Sequence, residues 1–145
     1  MTLPGRAPDW VVKSAPENCA VVGWLSRPDY ESLLSRASGV VCLTNRELTM
    51  QMGAFEALEH GIPILASPTA VLRDYLDQGG VVFVKDHTPA ELAAGIRALW
   101  RERERLRTEA LAARRTMFER AGHELAELRA AFDRDPANPH LSAVR

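Results

Sequence analysis

Short, wholly apolar runs alternate along this chain with longer stretches whose apolar residues recur at helical spacing. Val40-Val41-Cys42-Leu43, Ile62-Pro63-Ile64-Leu65-Ala66 and Val81-Val82-Phe83-Val84 are such runs, and Ala20-Val21-Val22-Gly23-Trp24-Leu25 is a fourth. Apolar runs of this length, without alternation, predict strands covered on both sheet faces; Pro63 belongs near the start of its strand. Between the runs, Ser26 and Pro28 open a helix reaching about Ser38, with Tyr30, Leu33, Leu34 and Ala37 as its apolar stripe and Gly39 as its stop. Thr49 predicts the N-cap of a helix from Met50 to His60, which Gly61 ends. Thr69 to Asp77 reads as a short helix, and Gly79-Gly80 turns the chain into the last strand. Thr88-Pro89 with Glu91 is a capping box, and Leu92, Ile96, Leu99 and Trp100 are expected to face the core.

Residues 103–134 read as one long, charged helix in which Leu111, Phe118, Leu125 and Phe132 recur every seven residues. That seam has three readings: packing on the chain's own sheet, crossing to another domain, or pairing with a second helix. The alternating Arg and Glu from Arg101 to Glu109 predict a solvated face. Four alternations of strand and helix with short connections predict an α/β fold, a Rossmann-like parallel sheet of about four strands with right-handed crossovers and a long C-terminal helix. The organisation expected is an irregular leader over 1–18, carrying Pro4, Gly5, Pro8 and Pro16, a Rossmann-like region over 19–102, the amphipathic helix over 103–134 and a disordered tail over 135–145.

Length and composition narrow the classes. The 145 residues suit one domain, and a net charge of -1 gives no global drive toward nucleic acid or an anionic membrane. Cys19 and Cys42 sit within or beside apolar runs, which predicts buried, reduced thiols and a cytoplasmic location. His60, His87, His123 and His140 have no metal-ligand spacing with each other or with the cysteines, so no metal is expected. The first ten residues lack a secretory h-region, and no apolar run approaches bilayer length.

The stretch Thr44–Ser67 holds the end of a strand, a polar loop, a helix and a second strand. Open parallel sheets bind ligands at such a place. Its residues Thr44-x-Arg46-x-x-Thr49-Met50-Gln51, Glu56-Ala57, Gly61-Ile62-Pro63 and Ile64–Ser67, with Val22-Gly23-Trp24 before and Pro89–Trp100 after, carry a resemblance. Over roughly residues 19–120 the chain resembles the C-terminal, donor-binding domain of GT-B-fold retaining glycosyltransferases, the group 1 type.

The resemblance implies binding of a nucleotide sugar, with UDP among the nucleotides expected, and transfer of the sugar to an acceptor hydroxyl without metal or other cofactor. Amides at Thr49, Met50 and Gln51, at a helix N-terminus, favour a diphosphate, and Arg46 adds a charge-assisted contact unless it is a solvated loop residue. Glu56 matches the ribose-binding glutamate of the family; its plain alternative is an i,i+4 pair with His60. A second glutamate usually precedes it with seven residues between. That spacing falls on Leu48, whereas Glu47, the candidate catalytic carboxylate, stands one residue earlier. Thr69, in the loop Ser67–Ala70, is a second phosphate or sugar contact, Asn45 and the Trp24-Leu25 backbone are candidates for the base, and Arg73 reads as a surface residue.

The resemblance also implies two further strands and an acceptor domain ahead of residue 19, so the chain reads as a truncated donor domain. In a sheet ordered 3-2-1-4-5-6, the Ala20–Leu25 strand lies at the far edge and Val40–Leu43 in the middle. They then either pair directly in a rearranged sheet or leave a gap for another chain. The partners implied are a nucleotide sugar and an acceptor-domain protein or a second copy. The alternative is a catalytically inactive assembly module or gene fragment derived from such a domain; a sugar-nucleotide epimerase ranks lower.

Overall fold

A computed structural model describes residues 1–133. The chain runs β1 (Thr2–Pro4), α1 (Asp9–Ser14), β2 (Ala20–Gly23), α2 (Arg27–Ser35), β3 (Val40–Cys42), α3 (Met52–Glu59), β4 (Ile64–Ala66), α4 (Ala70–Tyr75), β5 (Val81–Phe83), α5 (Pro89–Arg101) and α6 (Arg103–Asp133). Among the described residues the strands pair in parallel, in two sheets ordered β1-β2 and β3-β4-β5, with one isolated antiparallel bridge between Gly5 and Gly23. The α/β class, the parallel pairing and the long terminal helix are as the sequence implies. The expected tail over 135–145 lies outside the described residues.

β4 is the middle of the larger sheet, and its three residues are all buried. Ile64 and Ala66 point into a cluster with Ala54, Ala57 and Leu58 of α3, Leu72 of α4 and Ala113 of α6. Leu65 points the other way, to Val84, Leu99 of α5 and Leu106 of α6. Strand alternation thus sends successive side chains into two cores, which is why the run has no polar position. Each fully buried Leu or Ile contributes about 1.5–3 kcal/mol relative to exposure.

The N-caps follow the sequence at three helices, though the Thr88–Glu91 capping box is half formed, since the Thr88 amide donates to Asp86 at 2.8 Å. Ser26 accepts from the Asp29 amide, Thr69 from Leu72 and Thr88 from Glu91. Gly61 closes α3 at φ 62°, the left-handed conformation that a helix C′ position requires.

Four expectations need correction. The leader is not wholly irregular: it carries β1 and α1. Its prolines flank the helix instead of interrupting it, with Pro8 at the N-cap and Pro16 beyond the end, and Asp9 and Lys13 suit the two ends of the dipole. Among the described residues the strands number five. β2 takes β1 as its partner and does not pair with β3, so the direct rearranged pairing does not form. Ile96 and Trp100 point outward, 40% and 58% exposed, while Leu99 carries the inner face of α5.

The seam of α6 is the fourth. Its packed face is Leu106, Ala110, Ala113 and Met117, and Leu111, Phe118, Leu125 and Phe132 are exposed. Small residues win the packed face because the helix lies close to the body. A Cβ on Gly80 would stand 2.7 Å from the Ala110 backbone, and the Gly80 amide donates to Glu109 at 3.2 Å. From Phe118 to Phe132 every residue is exposed.

Gly80 also has φ 77°. Gly80→Ala therefore meets both backbone strain and a backbone clash, and is expected to lower stability in urea unfolding by more than ~2 kcal/mol. Gly122→Ala, with open space around it, is expected to favour the helix by about 0.8 kcal/mol, read as increased helicity by circular dichroism without a lowered midpoint.

Candidate functional site

Parallel strands deliver their carboxyl ends to one edge, and here those ends are tied together. Ser67, just past β4 and 1% exposed, accepts from the Thr44 amide past β3 at 2.7 Å. Its Oγ lies 2.8 Å from His87 Nε2 in the loop past β5. One buried hydroxyl thus anchors three loops. Among the described residues no buried side-chain polar atom lacks a hydrogen-bond partner.

The loop after β3 folds on itself. The Arg46 amide donates to Thr44 Oγ1 at 3.1 Å, and the Thr49 amide to the Arg46 carbonyl at 3.3 Å. Gln51 Nε2 donates back to the Leu43 carbonyl at 2.8 Å. That bond accompanies an extended Gln51 (φ -92°, ψ 121°), so the helix starts at Met52 with Gln51 as its N-cap and no side-chain cap bond. Thr49 is therefore not the cap. The N-terminal amides of α3 without a partner among the described residues are those of Met52 and Gly53, with Ala54 bonded to the Gln51 carbonyl. Met50 is half-buried against the core.

Glu47 crosses to the neighbouring loop. Its Oε2 accepts from the Ala70 amide at 3.0 Å, at the start of α4, a favourable place for a carboxylate. Leu48, at the family spacing, is 89% exposed. Thr69 stands beside Glu47 at the same helix end, but it is 4% exposed and its Oγ1 caps Leu72. Arg46 and Asn45 are exposed, and the Arg46 side chain makes no hydrogen bond or ion pair among the described residues. Arg73 is exposed, donates to the Pro68 carbonyl at 3.1 Å and lies over Phe83.

Glu56 is half-buried on the second turn of α3. Its partner is Tyr30 of α2, whose hydroxyl donates to Oε2 at 2.6 Å, and not His60. Burial and that bond to a carboxylate push the Tyr30 phenol up to about 12. Burial, with a smaller contribution from the Glu56 charge, pushes the Cys42 thiol up to about 11. A groove of about 530 Å³ opens here between the β2–α2 loop and α3, lined among others by Trp24, Leu25, Tyr30 and Glu56.

The predicted carboxylates and Thr69 thus fall in two places. Glu47 and Thr69 meet at the start of α4, and Glu56 faces the groove. Tyr30 was legible only as part of the apolar stripe of α2. The signal for its second role is chemical: a tyrosine in a packed stripe needs a partner for its hydroxyl. Among the described residues no group of three or more His, Cys, Asp or Glu is placed to hold a metal, and no helix is long and apolar enough to cross a membrane.

The family profile of glycosyl transferases group 1 matches residues 3–102, from β1 through the end of α5. The fold is similar to that of sucrose-phosphate synthase from Thermosynechococcus elongatus, with a TM-score of 0.61 and 19% identity. The match covers 90% of this chain and 38% of that one. No curated protein matches the chain.

Ser67→Ala leaves the Thr44 amide without its acceptor in a half-buried place. It is expected to cost about 1–3 kcal/mol in urea unfolding, with faster exchange of the Thr44 amide. Two groups also set an alkaline limit. Because the folded state raises the Cys42 thiol and the Tyr30 phenol, each contributes stability that is complete below its ordinary value. That stability is lost between about pH 9 and 11 for Cys42 and between about pH 10 and 12 for Tyr30. Stability measured against pH is expected to fall through that window, and the Cys42→Ala variant to lose the earlier part of the fall.

Proposed function

The chain belongs to the glycosyl transferases group 1 family, and on that premise we propose that it binds the nucleoside-diphosphate sugar donor of a glycosyl transfer at the carboxyl edge of its strands. The observation that carries this reading is Glu56, a half-buried carboxylate facing a groove of about 530 Å³. One of its oxygens is engaged by Tyr30. A carboxylate has acceptor capacity beyond that one bond, which suits the adjacent hydroxyls of a ribose.

The diphosphate is assigned to the loop after β3. The unbonded Arg46 guanidinium and the Met52 and Gly53 amides of α3 supply fixed positive charge there. Glu47, held against the start of α4, is the candidate for the donor sugar's hydroxyls. In the transfer, the bond from the sugar's anomeric carbon to the diphosphate breaks. An acceptor hydroxyl oxygen bonds that carbon and its proton passes to an oxygen of the leaving diphosphate. Charge grows on the leaving diphosphate, where donors already in position stabilise it without a metal.

The acceptor side is proposed to come from another domain or protein. The exposed apolar residues Trp24, Leu48 and Met52 at this edge, 82%, 89% and 65% exposed, suit a covering surface. A second reading, an assembly module without catalysis, draws on the exposed α6 residues and on Thr69 being spent as a cap.

Calorimetric titration of the chain with nucleoside diphosphates and their sugars separates the two. Binding at micromolar to millimolar strength is expected, with Glu56→Ala weakening it by about tenfold or more. A folded chain of defined oligomeric mass without nucleotide affinity would favour the assembly module.

A further inference from the structure

The groove beyond Glu56 carries chemistry that the ribose and diphosphate do not use. If the ribose sits on Glu56 and the diphosphate on the Arg46 loop, the base must leave the sugar in the other direction. It then enters the groove between the β2–α2 loop and α3. This inference therefore rests on the donor-site reading above.

Three charged groups remain on that part of the wall. Arg27 and Glu31 neutralise one another at 2.8 Å. Glu59 lies one turn beyond Glu56 on the same wall, the i,i+3 spacing that stacks side chains on one helix face. It makes no hydrogen bond or ion pair among the described residues. At the mouth, the Trp24 indole is 82% exposed, a platform on which a base can stack.

An ionised carboxylate only accepts hydrogen bonds. Guanine offers it two adjacent donors, N1–H and the N2 amino group, which fit both oxygens at once. Adenine and cytosine each pair one amino donor with a ring nitrogen that accepts, so one carboxylate oxygen meets a lone pair. Uracil sets its single N–H between two carbonyl oxygens that a carboxylate repels. We infer that this groove selects guanine, with Glu59 reading its Watson–Crick edge and Trp24 stacking on its face, so that the donor is a guanosine-diphosphate sugar.

The test is calorimetric titration of the full chain with GDP, ADP, CDP and UDP, repeated on Glu59→Gln and Trp24→Ala. Glu59 and Trp24 are both exposed, and circular dichroism checks that both variants remain folded. The expected result is GDP at least about tenfold tighter than UDP. Glu59→Gln is expected to lose most of that preference while leaving UDP affinity unchanged, and Trp24→Ala to weaken all four. UDP binding as tightly as GDP, or a GDP affinity indifferent to Glu59→Gln, overturns the inference and leaves the donor site standing. Absence of binding by all four overturns both.

Discussion

The burial of β4 on both faces is the constraint on which the rest depends. A strand with no side toward water must be flanked by strands and covered by helices on each face, and every backbone group in it must find a strand partner. β3 and β5 meet the second demand, and α3, α4, α5 and the first half of α6 meet the first. Once that is satisfied, the carboxyl ends of three strands emerge at one edge, and loops that share an edge can be tied by a single hydroxyl. Ser67 is that hydroxyl. The position of Arg46 and Glu47 is a consequence of where β4 ends.

Much of this was legible in the residues. The apolar runs marked four strands because they admit no polar face, and Ser26, Thr88 and Gly61 marked helix ends because their backbone roles are local. The failures share a cause: each involved a partner distant in sequence. β1 is three residues long and is a strand only because β2 lies beside it, so no periodicity could announce it. Ile96 and Trp100 have the right spacing for a core face, but α5 is rotated so that Leu99 and Gly95 meet the sheet, and a Cβ on Gly95 would stand 2.6 Å from Leu65.

The site divides the same way. Arg46, Glu47 and Glu56 were read from the lead-in and helix pattern; Arg46 and Glu47 lie in the loop after β3, and Glu56 lies on α3 beside the groove. Thr49 as cap was wrong by two residues because Gln51 reaches back to the Leu43 carbonyl, a bond across eight residues that outcompetes a local preference for threonine. Thr69 was read as a phosphate or sugar contact, and its hydroxyl caps α4. Tyr30 was hidden by its own apolar ring. Glu47 at the start of α4 joins positions 23 residues apart, and the displaced spacing on its own gave no account of where the carboxylate would go.

The outer half of α6 has a thermodynamic character of its own. Starting a helix is costly because several dihedrals are fixed for one hydrogen bond, whereas adding a residue to an existing turn is nearly neutral. The packed turns up to Met117 supply the nucleus, and residues 118–132, all exposed, extend the helix by propagation, with little burial to deepen the well. The Arg120–Glu124 pair, exposed and at i,i+4 spacing, adds only weak local support there. The segment is a helix templated by the packed turns before it. A surface that covers Leu125, Leu128 and Phe132 meets a binding face already aligned by the body, and the conformational entropy it must remove is that of fraying, not of folding from coil.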